Sequence, residues 1–201
     1  MVADFQKDVQ NEENIKAEKV VHEVLIDLYR GTGSTINYIA DQHLTWDFEI
    51  NHLGYLIRVD AKFDANYERT GRLPFEFMDV YPSGSHRPTW GVHPGLDFAA
   101  VVPWTFSKVV LVPLGDLGRY VSYKILTCGK SHLEKSEGWK WWETPNHRGA
   151  STWTTHGVAV PEEKFAAFLE SMGERKPIEL PTNPIHHRRK PRLLIGGKEA
   201  S

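Results

Sequence analysis

Trp46-Asp47-Phe48-Glu49-Ile50, then Asn51-His52-Leu53-Gly54, then Tyr55-Leu56-Ile57-Arg58-Val59-Asp60-Ala61-Lys62-Phe63 is the stretch that decides the fold. β-Branched and aromatic residues on both sides of a Gly-containing turn predict a β-hairpin. Side chains alternate along a strand, so Asp60 and Lys62 share one face of the second arm, and Asp47 lies on the first. Aspartate is disfavoured in strands, so two of them on facing arms require a reason. Two carboxylates converging at the end of a hairpin make a site for Mg²⁺, a hard ion that prefers oxygen ligands and keeps several waters. A lysine beside such an ion can orient an attacking water or stabilise charge building on a phosphate. The bland alternative is an exposed cross-strand ion pair, worth only about 0.2–1 kcal/mol.

Outward from the hairpin, Ile15, Val21, Leu25 and Leu28 recur at helical spacing, and the run stops at Gly31-Thr32-Gly33-Ser34. This predicts a helix over 14–29. Leu73-Pro74-Phe75-Glu76-Phe77-Met78-Asp79-Val80 reads as a third strand, with Pro74 near its start, where a missing donor is tolerable. Residues 81–95, rich in Gly, Pro, Ser and His, read as a loop. The apolar runs 96–102 and 109–113 fit strands or a helix-to-strand passage equally well. A second helix is predicted from Pro161 to Met172, with Glu162 and Glu163 suited to its N-terminal dipole and Gly173 following its end.

At 201 residues and 25% charged residues the chain has ordinary globular composition, and no apolar run reaches the roughly 18–20 residues needed to cross a bilayer. The polar, acidic N-terminus does not read as a targeting segment, so a cytoplasmic, reducing compartment is expected. Cys128 stands alone. No intramolecular disulfide and no cysteine-based zinc site can be assembled within the chain, and an inert buried thiol is its expected state. The histidines show no helical zinc spacing, and Asn146-His147-Arg148 reads as loop. Trp139, Trp141, Trp142 and Trp153 suit core packing better than base stacking. A net charge of -2 does not advertise nucleic-acid binding. From Glu174 to Ser201, however, seven Lys or Arg face three Glu, including Arg188, Arg189, Lys190 and Arg192. Such a run can ion-pair with phosphates, although solvated tails are common. The expected organisation is one domain over 1–176 and an extended basic arm over 177–201.

The helix, the hairpin, Asp47 and Asp60-Ala61-Lys62 together resemble the PD-(D/E)XK nuclease superfamily, whose core is a helix followed by a hairpin bearing Asp and then (Asp/Glu)-x-Lys. In that superfamily the helix often adds a metal-proximal glutamate. Glu18 in Ala17-Glu18-Lys19-Val20-Val21 is its counterpart, and Glu23, on a different helical face, is the fallback. Val59-Asp60-Ala61-Lys62-Phe63-Asp64, Arg69-Thr70-Gly71-Arg72 and Phe75-Glu76-Phe77 look like phage and bacterial members that continue with a Thr-Gly turn and a Glu-bearing strand. Trp90-Gly91 and Leu96-Asp97-Phe98 are similar to their Gly-Trp and Ala-Asp segments, with Trp and Gly reversed. Asp60 stands where glutamate is commoner, which shortens the ligand by one methylene.

The resemblance covers roughly residues 14–115. It implies an α/β, restriction-endonuclease-like core: a mixed central sheet of about four or five strands flanked by helices. It also implies Mg²⁺- or Mn²⁺-dependent hydrolysis of DNA phosphodiesters, with Glu18, Asp47 and Asp60 on the metal and Lys62 positioning water. The hairpin spacing is similar to that of archaeal Holliday-junction resolvases, which extends the expectation to branched DNA and is compatible with a homodimer. Two alternatives stay open: a non-catalytic nucleic-acid-binding protein on the same fold, and a structural protein such as a virion component with its tryptophans at an assembly interface.

Overall fold

The computed structural model describes residues 3–4, 12–39, 46–148, 150–174 and 176–187. Among these, the strands form two sheets packed with helices, an α/β architecture. The predicted first helix is α1, Glu12–Leu28, and it buries Ala17, Val20, Val21, Val24 and Leu25. Gly31 and Gly33 follow it with positive φ, ending the helix in a turn. Thr35–Tyr38 then forms a short strand, β2, after the two-residue β1 at Ala3–Asp4.

The hairpin comprises β3, Phe48–His52, and β4, Tyr55–Asp64. His52 pairs with Tyr55 across Leu53-Gly54, and both turn residues have positive φ, 51° and 84°. That is the two-residue type I′ geometry whose twist matches the flanking strands. Leucine is a poor occupant of this region, which costs an L-residue roughly 1–2 kcal/mol. Leu53 is 78% exposed, so it gains little packing in return. Leu53→Asn should therefore raise stability by about 1 kcal/mol, read as a higher urea midpoint at unchanged slope; an unchanged or lower midpoint would contradict this turn.

After a one-turn helix α2, Tyr67–Thr70, the predicted third strand appears as β5, Arg72–Val80. It does not join the hairpin's sheet, as a single sheet of four or five strands would require. β4 is flanked by β3 on one side and by β7, Phe98–Pro103, on the other, so no ladder is free for β5. β5 pairs antiparallel with β10, Ser151–Pro161, whose other neighbour is β9, Lys140–Arg148. The predicted loop over 81–95 carries β6, His86–Pro88, and a 3-10 turn at Trp90–Val92 that buries Trp90.

The ambiguous apolar runs are strands: β7 and β8, Lys108–Pro113. With β11, Ile178–Pro181, the larger sheet runs β11-β8-β7-β4-β3-β2, parallel at β4 and β7 and antiparallel elsewhere. The smaller runs β1-β9-β10-β5-β6. Ala100, Val102, Val109 and Leu111 pack in a cluster with α1, whereas Val101, Val110 and Val112 pack on the opposite face with helix residues Leu117, Tyr120 and Leu133 and with Val158 of β10. Both faces of β7 and β8 are covered, which is why these strands read as unbroken apolar runs. Each fully buried Val or Leu contributes roughly 1.5–3 kcal/mol.

Two helices, α3 over Leu114–Cys128 and α4 over Lys130–Ser136, fill a stretch to which the sequence assigned no element. The predicted last helix is α5, Glu162–Ser171. Asn146-His147-Arg148 is the end of β9 rather than a loop, held by antiparallel pairing with β10. The first part of the C-terminal arm docks: the Thr182 hydroxyl donates to the Phe106 carbonyl at 2.5 Å, and Lys16 Nζ to the His186 carbonyl at 3.0 Å. Arg188, Arg189, Lys190 and Arg192 lie outside the described residues. Among the described residues no helix is long and apolar enough to cross a membrane.

Candidate active site

Asp47 sits at the bend entering β3, one residue before the strand, where its N–H donates to the Val59 carbonyl at 3.0 Å. Its Oδ2 accepts from the Ala61 N–H at 2.7 Å, which clamps the carboxylate across the hairpin. Alternation in β4 sends Val59 into the α1 cluster and Asp60 to the opposite face. There Asp60 is 5% exposed, and its carboxyl is raised by burial first and by the neighbouring Asp47 as well, with Lys62 opposing. Lys62, two residues on, approaches Asp60 Oδ2 to 2.6 Å. That contact is an ion pair, so the Lys62 ammonium is the partner of Asp60 Oδ2.

Glu18 reaches the same region from α1. The Tyr38 hydroxyl of β2 donates to its Oε2 at 2.6 Å. Burial raises the Glu18 carboxyl, with Asp47 pushing the same way and Lys62 opposing, so the three share one electrostatic field. Glu23 faces elsewhere and meets His186 Nε2 at 2.9 Å. Between the two helix acids, the fold turns Glu18 to the hairpin acids. The Tyr38 phenol is pushed up to about 12, chiefly by its hydrogen bond to Glu18.

No protein-family model matches this chain, and no curated protein matches it significantly. In structure it is similar to a bacterial homing endonuclease, I-Ssp6803I. The two share 16% identity with a TM-score of 0.39, over 51% of this chain and 67% of that one. The chemistry of the site stands on its own residues.

Glu76 of the Phe75-Glu76-Phe77 segment belongs to this region. It stands on β5 of the smaller sheet, half-buried, with its carboxyl raised mainly by burial while Lys62 and a hydrogen bond from Trp90 oppose the rise. Lys62 Nζ also lies 5.3 Å from the Trp90 ring centroid. Burial alone would lower the Lys62 ammonium, but the carboxylates of Asp60, Glu76 and Asp47 outweigh it and hold its pKa above the ordinary range. Gly91 permits this arrangement: a Cβ there would meet the Glu76 carbonyl oxygen at 2.1 Å. Asp64 and Asp97 have structural partners instead, the backbone N–H groups of Asn66 and Arg58.

Tyr38 and Trp90 are the neighbours that sequence reading missed. Tyr38 carried no signal, because β2 is short and mostly exposed. Trp90 was visible only as part of the Trp-Gly segment.

The site fits a divalent ion by the chemistry of its donors. Asp47 disfavours ionisation of the buried Asp60 carboxyl and Lys62 offsets part of that charge, and with Glu18 these carboxylates are an all-oxygen donor set of the kind a hard divalent ion takes.

Proposed function

We propose that this chain is a divalent-metal-dependent nuclease acting on DNA, with Asp47, Asp60 and Glu18 as the acids that would hold Mg²⁺ or Mn²⁺. The observation that carries the reading is the grouping itself: a helix and a hairpin bring the buried Asp60 carboxylate, the Asp47 carboxylate clamped by the Ala61 N–H, Glu18 and Lys62 into one electrostatic neighbourhood. An Asp60–Lys62 ion pair alone does not need Asp47 and Glu18 beside it. When bound, the ion supplies a water of lowered pKa and charge stabilisation at the phosphate.

The remaining work falls to the chain. Asp47 and Asp60 fix the donor geometry from the two arms of one hairpin, and the Ala61 N–H holds Asp47 in place. Lys62 stays protonated among its acid neighbours, and Glu76 offers the ammonium a second partner when Asp60 is engaged. From there Lys62 orients the attacking water and offsets charge on the phosphate. Arg188, Arg189, Lys190 and Arg192 would add sequence-independent phosphate contacts. Branched DNA as the preferred substrate and a homodimer as the working form belong to the same proposal.

Purified protein incubated with single-stranded, duplex and branched DNA, and with duplex RNA, all in Mg²⁺, tests the reading. Cleavage of DNA is expected, most readily at branches; binding without cleavage of any substrate would turn the reading to a non-catalytic protein. Lys62→Ala should lower turnover by about 10²–10³-fold and leave Mn²⁺ affinity within a few-fold of wild type, since an ammonium assists the reaction without being a ligand. Unchanged turnover would remove Lys62 from the chemistry.

A further inference from the structure

A lone cysteine predicts no cysteine-based zinc site, yet the fold brings its thiol together with an imidazole and a carboxylate. Cys128 ends α3, His132 stands in α4, and Glu137 caps the end of α4. Gly129, between the helices, has φ 74° and ψ 154°, a conformation that breaks the helical path. Leu133 is fully buried and fixes α4 in the core, which leaves His132 at the rim. As a result one donor atom from each of Cys128, His132 and Glu137 lies within 4.8 Å of the others. Cys128 is half-buried rather than sealed in the core.

A second observation points to a missing partner. Glu137 Oε1 accepts from Lys124 Nζ at 2.6 Å. Its other oxygen, Oε2, is buried and has no hydrogen-bond partner among the described residues. A buried carboxylate oxygen without a donor costs stability unless something satisfies it.

We propose that Cys128, His132 and Glu137 form a binding site for Zn²⁺ that ties α3 to α4. One thiolate, one imidazole and one carboxylate oxygen are a donor set that suits zinc and repels Mg²⁺ and Ca²⁺, which take oxygen alone. A tetrahedral ion with Zn–S of about 2.3 Å and Zn–N of about 2.0 Å needs donors roughly 3.5 Å apart. Side-chain rotation of the exposed His132 supplies the contraction. Lys124 stays on Oε1, orienting the carboxylate and offsetting its charge. Three protein ligands leave a fourth position for water. None of these residues belongs to the hairpin site, and the donor sets differ, so the two sites select different ions.

The test uses the full chain, stripped with chelator, dialysed and titrated with Co²⁺. One equivalent should produce a sulfur-to-cobalt charge-transfer band, and Zn²⁺ should abolish it by displacement. Cys128→Ser should remove the band and His132→Ala should weaken Zn²⁺ binding by more than the roughly 10- to 100-fold that loss of an outer partner costs. Asp60→Asn should leave the band intact, which separates this site from the hairpin acids. Because Cys128 is the sole cysteine, its alkylation by iodoacetamide gives a readout on the unmutated chain: Zn²⁺ should slow it strongly. No charge-transfer band, alkylation indifferent to Zn²⁺, or a band lost in Asp60→Asn would each overturn the proposal.

Discussion

Asp60→Asn is expected to lower the rate of metal-dependent DNA cleavage by about 10³-fold while the chain stays folded. Asparagine keeps the side-chain volume and removes the charge that would hold the ion. The same substitution has a stability signature of opposite sign. Burial raises the Asp60 carboxyl well above its ordinary value of 3.8, with Lys62 opposing and Asp47 adding to the rise. The folded chain therefore retains a proton that the unfolded chain releases near that value. Asp60's contribution to metal-free stability is fully present below pH 3.8 and is lost as pH rises through the raised folded value. Asp60→Asn has no such loss, so its stability relative to wild type should grow from acid towards neutral pH without metal. Lys62 keeps Glu76 and Asp47 as counter-charges, so the variant is not left with an unpaired ammonium. Parallel urea melts at several pH values and a cleavage assay measure both effects. A variant that cuts at the wild-type rate would take Asp60 out of the site.

Trp139→Ala is expected to cost about 3–5 kcal/mol of stability. Trp139 is fully buried in the cluster that joins α3, α4 and α5 to both sheets, with Tyr120 at 5.6 Å between ring centroids. Its indole N–H has no hydrogen-bond partner among the described residues. Trp139→Phe should therefore cost clearly less, since it keeps much of the apolar contact and deletes an unsatisfied donor. Chemical denaturation of both variants reads the difference. If Trp139→Ala instead weakened single-stranded DNA binding at unchanged stability, the ring would be a stacking platform rather than core.

What the sequence showed, and what it hid, divides along the reach of the information. α1 and the hairpin were legible because their signals are local: apolar residues at helical spacing ended by glycines, and alternation around Leu53-Gly54. Asp60 and Lys62 were legible for the same reason, since strand alternation puts them on one face, and Asp47 was legible because the hairpin brings its arm alongside theirs. α3 was missed although Leu114, Leu117, Tyr120 and Val121 are its buried stripe. Gly115 and Gly118 lower its helix propensity, and burial against the sheet overrides that cost. β9 and β10 were obscured because the tryptophans drew attention as a cluster while Pro145, Asn146 and His147 suggested a loop. Pairing with β10 sets that strand, and Trp142 lies flat on Gly157, where a Cβ would come within 2.2 Å of its ring. Glu76 could not be placed because its role depends on which sheet β5 joins, and that is settled by β7 occupying the far side of β4.

Asp47, Asp60 and Glu18 are proposed to hold a hard divalent ion for phosphodiester cleavage. The direct measurement is cleavage of labelled duplex and branched DNA by protein stripped with EDTA, before and after adding back Mg²⁺, Mn²⁺ or Ca²⁺. Cleavage should vanish on chelation and return with Mg²⁺ or Mn²⁺, while Ca²⁺, with its larger and looser coordination, should restore little. Cleavage that persists at neutral pH after exhaustive chelation would contradict the account.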